Sequence, residues 1–258
     1  MLFDSHAHLD DDRFNEDRTD VINLLQKGGI SYVVNIGADY KTSLNSVELA
    51  NKYDFVYAAI GVHPYDAADV DDNLIENLRT LAINNKKVVA IGESGLDYSH
   101  GNEDREAQKR AFIRHIKLAD ELNLPIIVHN RDSHKDMMDI LTSQRPKNAI
   151  IHCYSGSLEM AKILIDMGYF ISFSGTVTFK NAKKLVDVAE FVPLDKLLIE
   201  TDCPYLSPEP ERGTRNNPLK VRYTAARIAE LKGLTFEEIA KATMENAKRV
   251  YKINQEIN

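Results

Sequence analysis

Eight short apolar, β-rich runs recur along the chain, and each ends at a turn or a polar side chain. Residues 2–3 lead to His6, 32–36 to Gly37, 56–62 to His63 and 88–91 to Glu93. Residues 125–128 lead to His129, 149–151 to His152, 170–173 to Ser174 and Gly175, and 197–199 to Glu200, Thr201 and Asp202. Segments of helical periodicity lie between runs at 20–27, 105–122, 135–141, 158–167 and 180–191, and two closing helices are expected at 218–232 and 236–251. Residues 219–221 also read as an extended approach to the first of these. Gly168 after Met167 is a helix-stop signal, and Thr235 with Glu238 three residues on is a capping-box pattern.

Strands alternating with helices imply a parallel sheet, because parallel neighbours need a crossover connection. Strands that are continuously apolar are buried on both faces. Eight such units in a chain of this length predict one α/β domain over residues 1–258, a (β/α)8 TIM barrel of about 250 residues. An open doubly wound sheet is the alternative, but it places a Gly-rich phosphate loop after its first strand. This chain has His6-Ala7-His8 there. Chemistry in such barrels sits at the C-terminal ends of the strands, where the polar residues above fall.

Hydrophobic residues at 43% and charged residues at 28% are ordinary for a globular chain. No apolar run approaches the roughly 18 to 20 residues of a membrane span, and the N-terminus lacks the pattern of a secretory signal. Two cysteines, Cys153 and Cys203, build no disulfide framework. The expectation is a cytoplasmic protein without membrane contact or an evident obligate protein partner. A net charge of −7 argues against a general electrostatic grip on nucleic acid. Divalent cations would nonetheless reverse the potential inside a pocket.

His6 and His8 are two apart, so on a strand both imidazoles leave one face and can converge on one ion. His129 and His152 each close a separate apolar run, and Glu93 and Asp202 add carboxylates. A cluster of imidazoles and acids at buried strand ends points to metal or catalytic chemistry. Glu93 is the expected bridge between two ions. The mixed nitrogen and oxygen donors suit Zn, Mn, Ni, Co or Fe, and Mg less well. Cys153 and Cys203 read as packing residues, and His100, His115 and His134 as structural or surface residues. Gly-x-Ser-x-Gly is absent, which argues against covalent catalysis by serine. Two cations would lower the pKa of a water and clamp departing oxygens, which is what hydrolysis needs.

Residues 2–10, Leu-Phe-Asp-Ser-His-Ala-His-Leu-Asp, resemble the first signature of the TatD family of metal-dependent deoxyribonucleases. Pro125-Ile126-Ile127-Val128-His129-Asn130-Arg131 resembles the second, and Leu197-Leu198-Ile199-Glu200-Thr201-Asp202-Cys203-Pro204-Tyr205 the third. Gly61-Val62-His63-Pro64, the stretch from Gly92 to Tyr98, His152-Cys153-Tyr154-Ser155-Gly156 and Arg215-Asn216-Asn217-Pro218 also fit. Ser133 stands where the second signature is expected to carry Thr or Ala.

The resemblance implies an amidohydrolase-like TIM barrel that cleaves the phosphodiester bonds of DNA by attack of a metal-bound hydroxide at a dinuclear centre. One cation would be held by His6, His8, Glu93 and Asp202, the other by Glu93, His129 and His152. Asp202 is the expected proton acceptor with Glu200 in support. His63, Arg131 and Arg215 are the expected substrate contacts, with Arg212, Lys220 and Arg222 as further candidates along the backbone. The alternative is a small-molecule hydrolase, a phosphotriesterase, lactonase or cyclic amidase, on the same metals. A protein whose metals serve only folding is a third reading, and two histidine–carboxylate centres fit it poorly.

Overall fold

The computed structural model describes residues 1–101 and 104–253. Eight strands, β1 (Leu2–Ala7), β2 (Ile30–Ile36), β3 (Val56–Ile60), β4 (Val88–Asp97), β5 (Ile126–Arg131), β6 (Ala149–Ile151), β7 (Phe170–Phe173) and β8 (Leu197–Ile199), lie in one sheet in sequence order. The paired strands β1–β2, β3–β4, β4–β5, β5–β6 and β7–β8 are parallel. Helices α1 (Arg18–Leu25), α2 (Tyr40–Lys52), α3 (Asp72–Asn84), α4 (Arg105–Leu122), α5 (His134–Gln144), α6 (Leu158–Asp166) and α7 (Lys183–Phe191) alternate with them. Helices α8 (Val221–Lys232) and α9 (Phe236–Val250) follow β8. This is the TIM-barrel arrangement the alternating pattern predicts. Contacts within the chain group into two units, Met1–Asn35 with Cys153–Asn258, and Ile36–His152.

In the first unit, β1 is buried along its whole length. Phe3 lies near-parallel to Tyr251 at 6.0 Å, and the Tyr251 hydroxyl donates to the carbonyl of Ser5 at 2.9 Å. A fully buried tyrosine needs such a partner, because an unpaired hydroxyl in the core costs free energy. That bond ties the end of α9 to the strand that carries His6. The capping box forms as expected: Thr235 accepts from the backbone of Glu238, and the Glu238 carboxylate accepts from the backbone of Thr235. Residues 218–220 form a 3₁₀ turn rather than an extended approach, and α8 begins at Val221.

In the second unit, all ten residues of β4 are buried. Helix α4 covers the sheet with Ala111, Phe112, His115, Ile116 and Ala119 inward, capped by Asp104 at its start and ended by left-handed Asn123. Helices α2 and α3 lie outside the helical segments expected above, although α3 carries an apolar stripe of Leu74, Ile75, Leu78 and Leu81. The inner face of α2 includes buried Ser43 and Ser46, and α3 buries only Leu78 fully. Their starts are fixed locally, by the Asp39–Thr42 capping box and by Asp71 accepting from Leu74.

Candidate metal centre

In the second unit, strand register assembles the donors. β4 and β5 pair in register at Ile91↔Ile126 and Ser94↔Val128, with an irregularity between those pairs that contains Glu93. A bulge of this kind re-aims a side chain next to a site. Gly92 permits it, with φ +123°, and a Cβ there would sit 2.6 Å from the carbonyl oxygen of Ile127. β4 and β5 then deliver Glu93 and His129, and the residue just past β6 delivers His152. His129 Nδ1 lies 3.2 Å from His152 Nε2 and 3.4 Å from Glu93 Oε2, and His152 Nε2 lies 2.9 Å from the same oxygen. Neighbouring corners of a tetrahedral shell with bonds of about 2.0–2.1 Å are about 3.3–3.4 Å apart. The three donor atoms therefore form a triangle of the size one ion needs.

His129 reaches this triangle through Nδ1 because its Nε2 faces Asp97 Oδ2 at 3.0 Å. Asp97 ends β4, is buried, and accepts from the Ser99 backbone at 2.9 Å and the Ser99 hydroxyl at 2.6 Å. Burial opposes its charge, but the bonds from His129 and Ser99 win and hold its carboxyl well below the usual range. An ionised carboxylate on one imidazole nitrogen fixes the tautomer and raises the basicity of the other, which improves it as a ligand. Burial likewise opposes charge on His129, and the Asp97 and Glu93 carboxylates overcome it, raising the imidazole. Such a pocket favours positive charge, which a proton or a cation can supply.

His63 stands beside this triangle, its ring 4.5 Å from that of His129 at 69°. Its Nδ1 accepts from the backbone N–H of Tyr65 at 3.2 Å, and burial pushes its pKa down to about 4. At neutral pH it is an uncharged imidazole with its proton on Nε2, a hydrogen-bond donor. The preceding residue is held from behind: the Val62 N–H donates to His115 Nε2 at 3.2 Å, and His115 Nδ1 donates to the Ala111 carbonyl at 2.8 Å. His115 is thus a buried strut under the His63 loop.

In the first unit His6 comes from β1, His8 from just past its end and Asp202 from the loop after β8. The two segments are laced by backbone bonds, Asp202 N–H to His6 at 2.9 Å and His8 N–H to Cys203 at 2.8 Å. His6 Nε2 and His8 Nε2 are 3.2 Å apart, and Asp202 Oδ1 lies 3.7 and 3.5 Å from them. This is a second triangle of one-ion size. Asp202 does not continue the alternation of β8, which ends at Ile199; its φ is +55°. The turn is latched by Asp4, whose carboxyl accepts from the Thr201 backbone at 2.8 Å and the Thr201 hydroxyl at 2.5 Å. Full burial pushes the Asp4 pKa up to about 8 in spite of those bonds. Asn216 completes the latch, donating to the Thr201 and Tyr205 carbonyls at 2.9 and 2.7 Å.

Other expected site residues are placed as follows. Glu200 is fully buried, and its Oε1 accepts from the backbone N–H of Cys153 at 2.7 Å. Arg131 is exposed at the end of β5. Arg215 spans Asp17, the Arg13 carbonyl and the face of the Phe14 ring. Lys220 is bonded to Ser207, Thr214 and the Arg215 carbonyl, and Arg222 to the Leu219 and Gly28 carbonyls. Arg212 is exposed and stacks over Phe179. Cys153 is partly buried with φ +42°, so it is not a strand residue, while Cys203 is in the core with its thiol pushed up by burial. Asp97, Asp4 and His115 are the supporting residues that motif reading does not assign. The even spacing of Asp97 from Glu93 along one strand is the signal that finds it.

A TIM barrel with histidine–carboxylate clusters at its strand ends belongs to the class of metal-dependent hydrolases, and the comparisons with known proteins narrow this. The family model described as TatD related DNase matches residues 3–252. The chain is 47% identical over 256 residues to an uncharacterized metal-dependent hydrolase, YabD, of Bacillus subtilis, covering 98% of this chain and 100% of that one. It is 41% identical over 259 residues to the uncharacterized metal-dependent hydrolase YcfH of Escherichia coli K12, covering 98% and 97%. The crystal structure of the TatD homologue YJJV from E. coli K12 superposes with a TM-score of 0.92 at 29% identity, over 98% of both chains. The chain belongs to the TatD family of metal-dependent hydrolases.

Proposed function

We propose that the protein is a deoxyribonuclease that hydrolyses phosphodiester bonds of DNA with two divalent cations, Glu93 being shared between the His6–His8–Asp202 and His129–His152 sets. The observation that carries the metal part is the pair of donor triangles, each matching the face of one tetrahedral shell. The family description supports DNA as the substrate. Zn, Mn, Ni, Co and Fe suit the donors better than Mg. When bound, such cations supply a water of lowered pKa and take up charge on phosphate oxygens. Asp202, only partly buried, accepts the proton of the attacking water, with buried Glu200 supporting it from the same loop. His63 donates from Nε2 to a phosphate oxygen, its neutral form kept by burial.

Arg131 and Arg215 contact the nucleic-acid backbone in this reading, and Arg215 must loosen its pair with Asp17 to do so. Among the described residues no helix is long and apolar enough to cross a membrane. Both cysteines are free thiols, which supports a reducing, cytoplasmic setting. The test is hydrolysis of DNA, RNA, phosphotriester and lactone substrates by metal-loaded and chelated protein. Metal-dependent cleavage of DNA in preference to the others is expected. Turnover of only the phosphotriester or lactone would replace this reading with the small-molecule one.

A further inference from the structure

Tyr65 leaves 51% of its surface in water, although it is a large aromatic side chain. Its neighbours nevertheless hold it in place. Its ring meets the His63 ring edge-on at 4.4 Å and 73°, and the His100 ring at 4.8 Å and 70°. Its hydroxyl is hydrogen-bonded to His100 Nε2 at 2.7 Å. His63 in turn stands edge-on to His129. A rigid aromatic ring is thus presented to solvent two ring contacts from the Glu93–His129–His152 triangle. Tyr205, the exposed tyrosine of the first unit, differs: Arg13 sits over its ring at 4.2 Å and Asp11 takes its hydroxyl at 3.0 Å.

We infer that Tyr65 is a stacking platform for an unpaired nucleobase of the substrate. Every base offers a π-face, so stacking on an aromatic side chain tolerates any sequence. A ring already fixed by its neighbours loses little freedom on binding, which is how preorganisation raises affinity. A base inside a duplex is stacked on both sides, so the substrate class is single-stranded or frayed DNA. This rests on the deoxyribonuclease reading above and adds to it what seats the base.

The test compares a short single-stranded oligonucleotide with one of the same length built of abasic tetrahydrofuran units, using metal-loaded wild type, Tyr65→Ala, Tyr65→Phe and Tyr65→Trp. Tyr65→Ala is expected to raise KM for the base-bearing strand about 5- to 150-fold, the range that loss of one stacked base implies, with kcat little changed. Tyr65→Phe and Tyr65→Trp keep a ring and are expected to stay near wild type. All four proteins should treat the abasic strand alike and hold the same metal content. A 2-aminopurine base in the strand should lose fluorescence on binding wild type and not Tyr65→Ala. An equal loss on both strands, a loss of metal, or no change in KM for Tyr65→Ala would overturn the inference while leaving the nuclease reading intact. Wild type that cleaves neither strand would overturn both.

Discussion

Glu93, His129 and His152 come from two strands and the first residue past a third, whereas His6, His8 and Asp202 come from one strand, the residue beyond it and a loop beyond another. The first set is positioned by sheet register and a bulge at Gly92–Glu93. The second depends on a left-handed turn at Asp202, latched by Asp4 through Thr201. The two supporting carboxyls also differ in charge. Asp97 is kept ionised by its bonds to His129 and Ser99, while Asp4, pushed up to about 8 by burial, is largely protonated at pH 7. One set is tuned by a charge on a ligand; the other is held by a neutral clasp on a backbone turn.

The largest effect should come from the ligands themselves. If the two sets serve one reaction, His6→Ala and His129→Ala each lower kcat for DNA by roughly 10³-fold or more, as expected when a cation that stabilises the transition state is lost. Steady-state kinetics at saturating metal check this. A large loss from only one variant would make the other set structural and break the symmetry between them. His63→Ala comes next. Its turnover should fall about 10²-fold, the scale of a lost transition-state donor, with metal content unchanged by elemental analysis. Metal loss in step with activity would make His63 a ligand.

The supporting carboxyls sharpen the contrast at smaller scale. Asp97→Asn removes the charge that orients His129, so metal affinity measured by calorimetry should fall about 10- to 100-fold. Asp4→Asn should change it far less. The amide oxygen can still accept from the Thr201 N–H, and the amide nitrogen can donate to the Thr201 hydroxyl, so both contacts survive with the second one reversed. Equal losses from the two substitutions would mean that Asp4 also acts as a charge.

Much of this is readable in the sequence, for reasons the comparison explains. Continuous apolar runs ending in His129 and His152 mark buried parallel strands, and the strand ends place the donors. The separation of His6 and His8 by one residue is likewise a property of strand geometry. Asp202 is singled out as a candidate donor, but its conformation is not legible, because the chain leaves β8 at Ile199 and turns through a latch made by distant Asp4 and Asn216. The part played by Asp97 depends on which nitrogen of His129 faces it, a detail only packing decides. The same holds for Arg215, a basic loop residue in sequence whose guanidinium the fold gives to Asp17.

The most direct test of the account is the number of divalent ions bound per chain, by native mass spectrometry of metal-free protein titrated with Zn or Mn, for wild type and Glu93→Gln. Two ions per chain in wild type are expected, with both weakened together in Glu93→Gln, because a neutral amide is a poor bridge between two cations. A single ion in wild type, or a Glu93→Gln protein that fills both positions as wild type does, would contradict the shared centre.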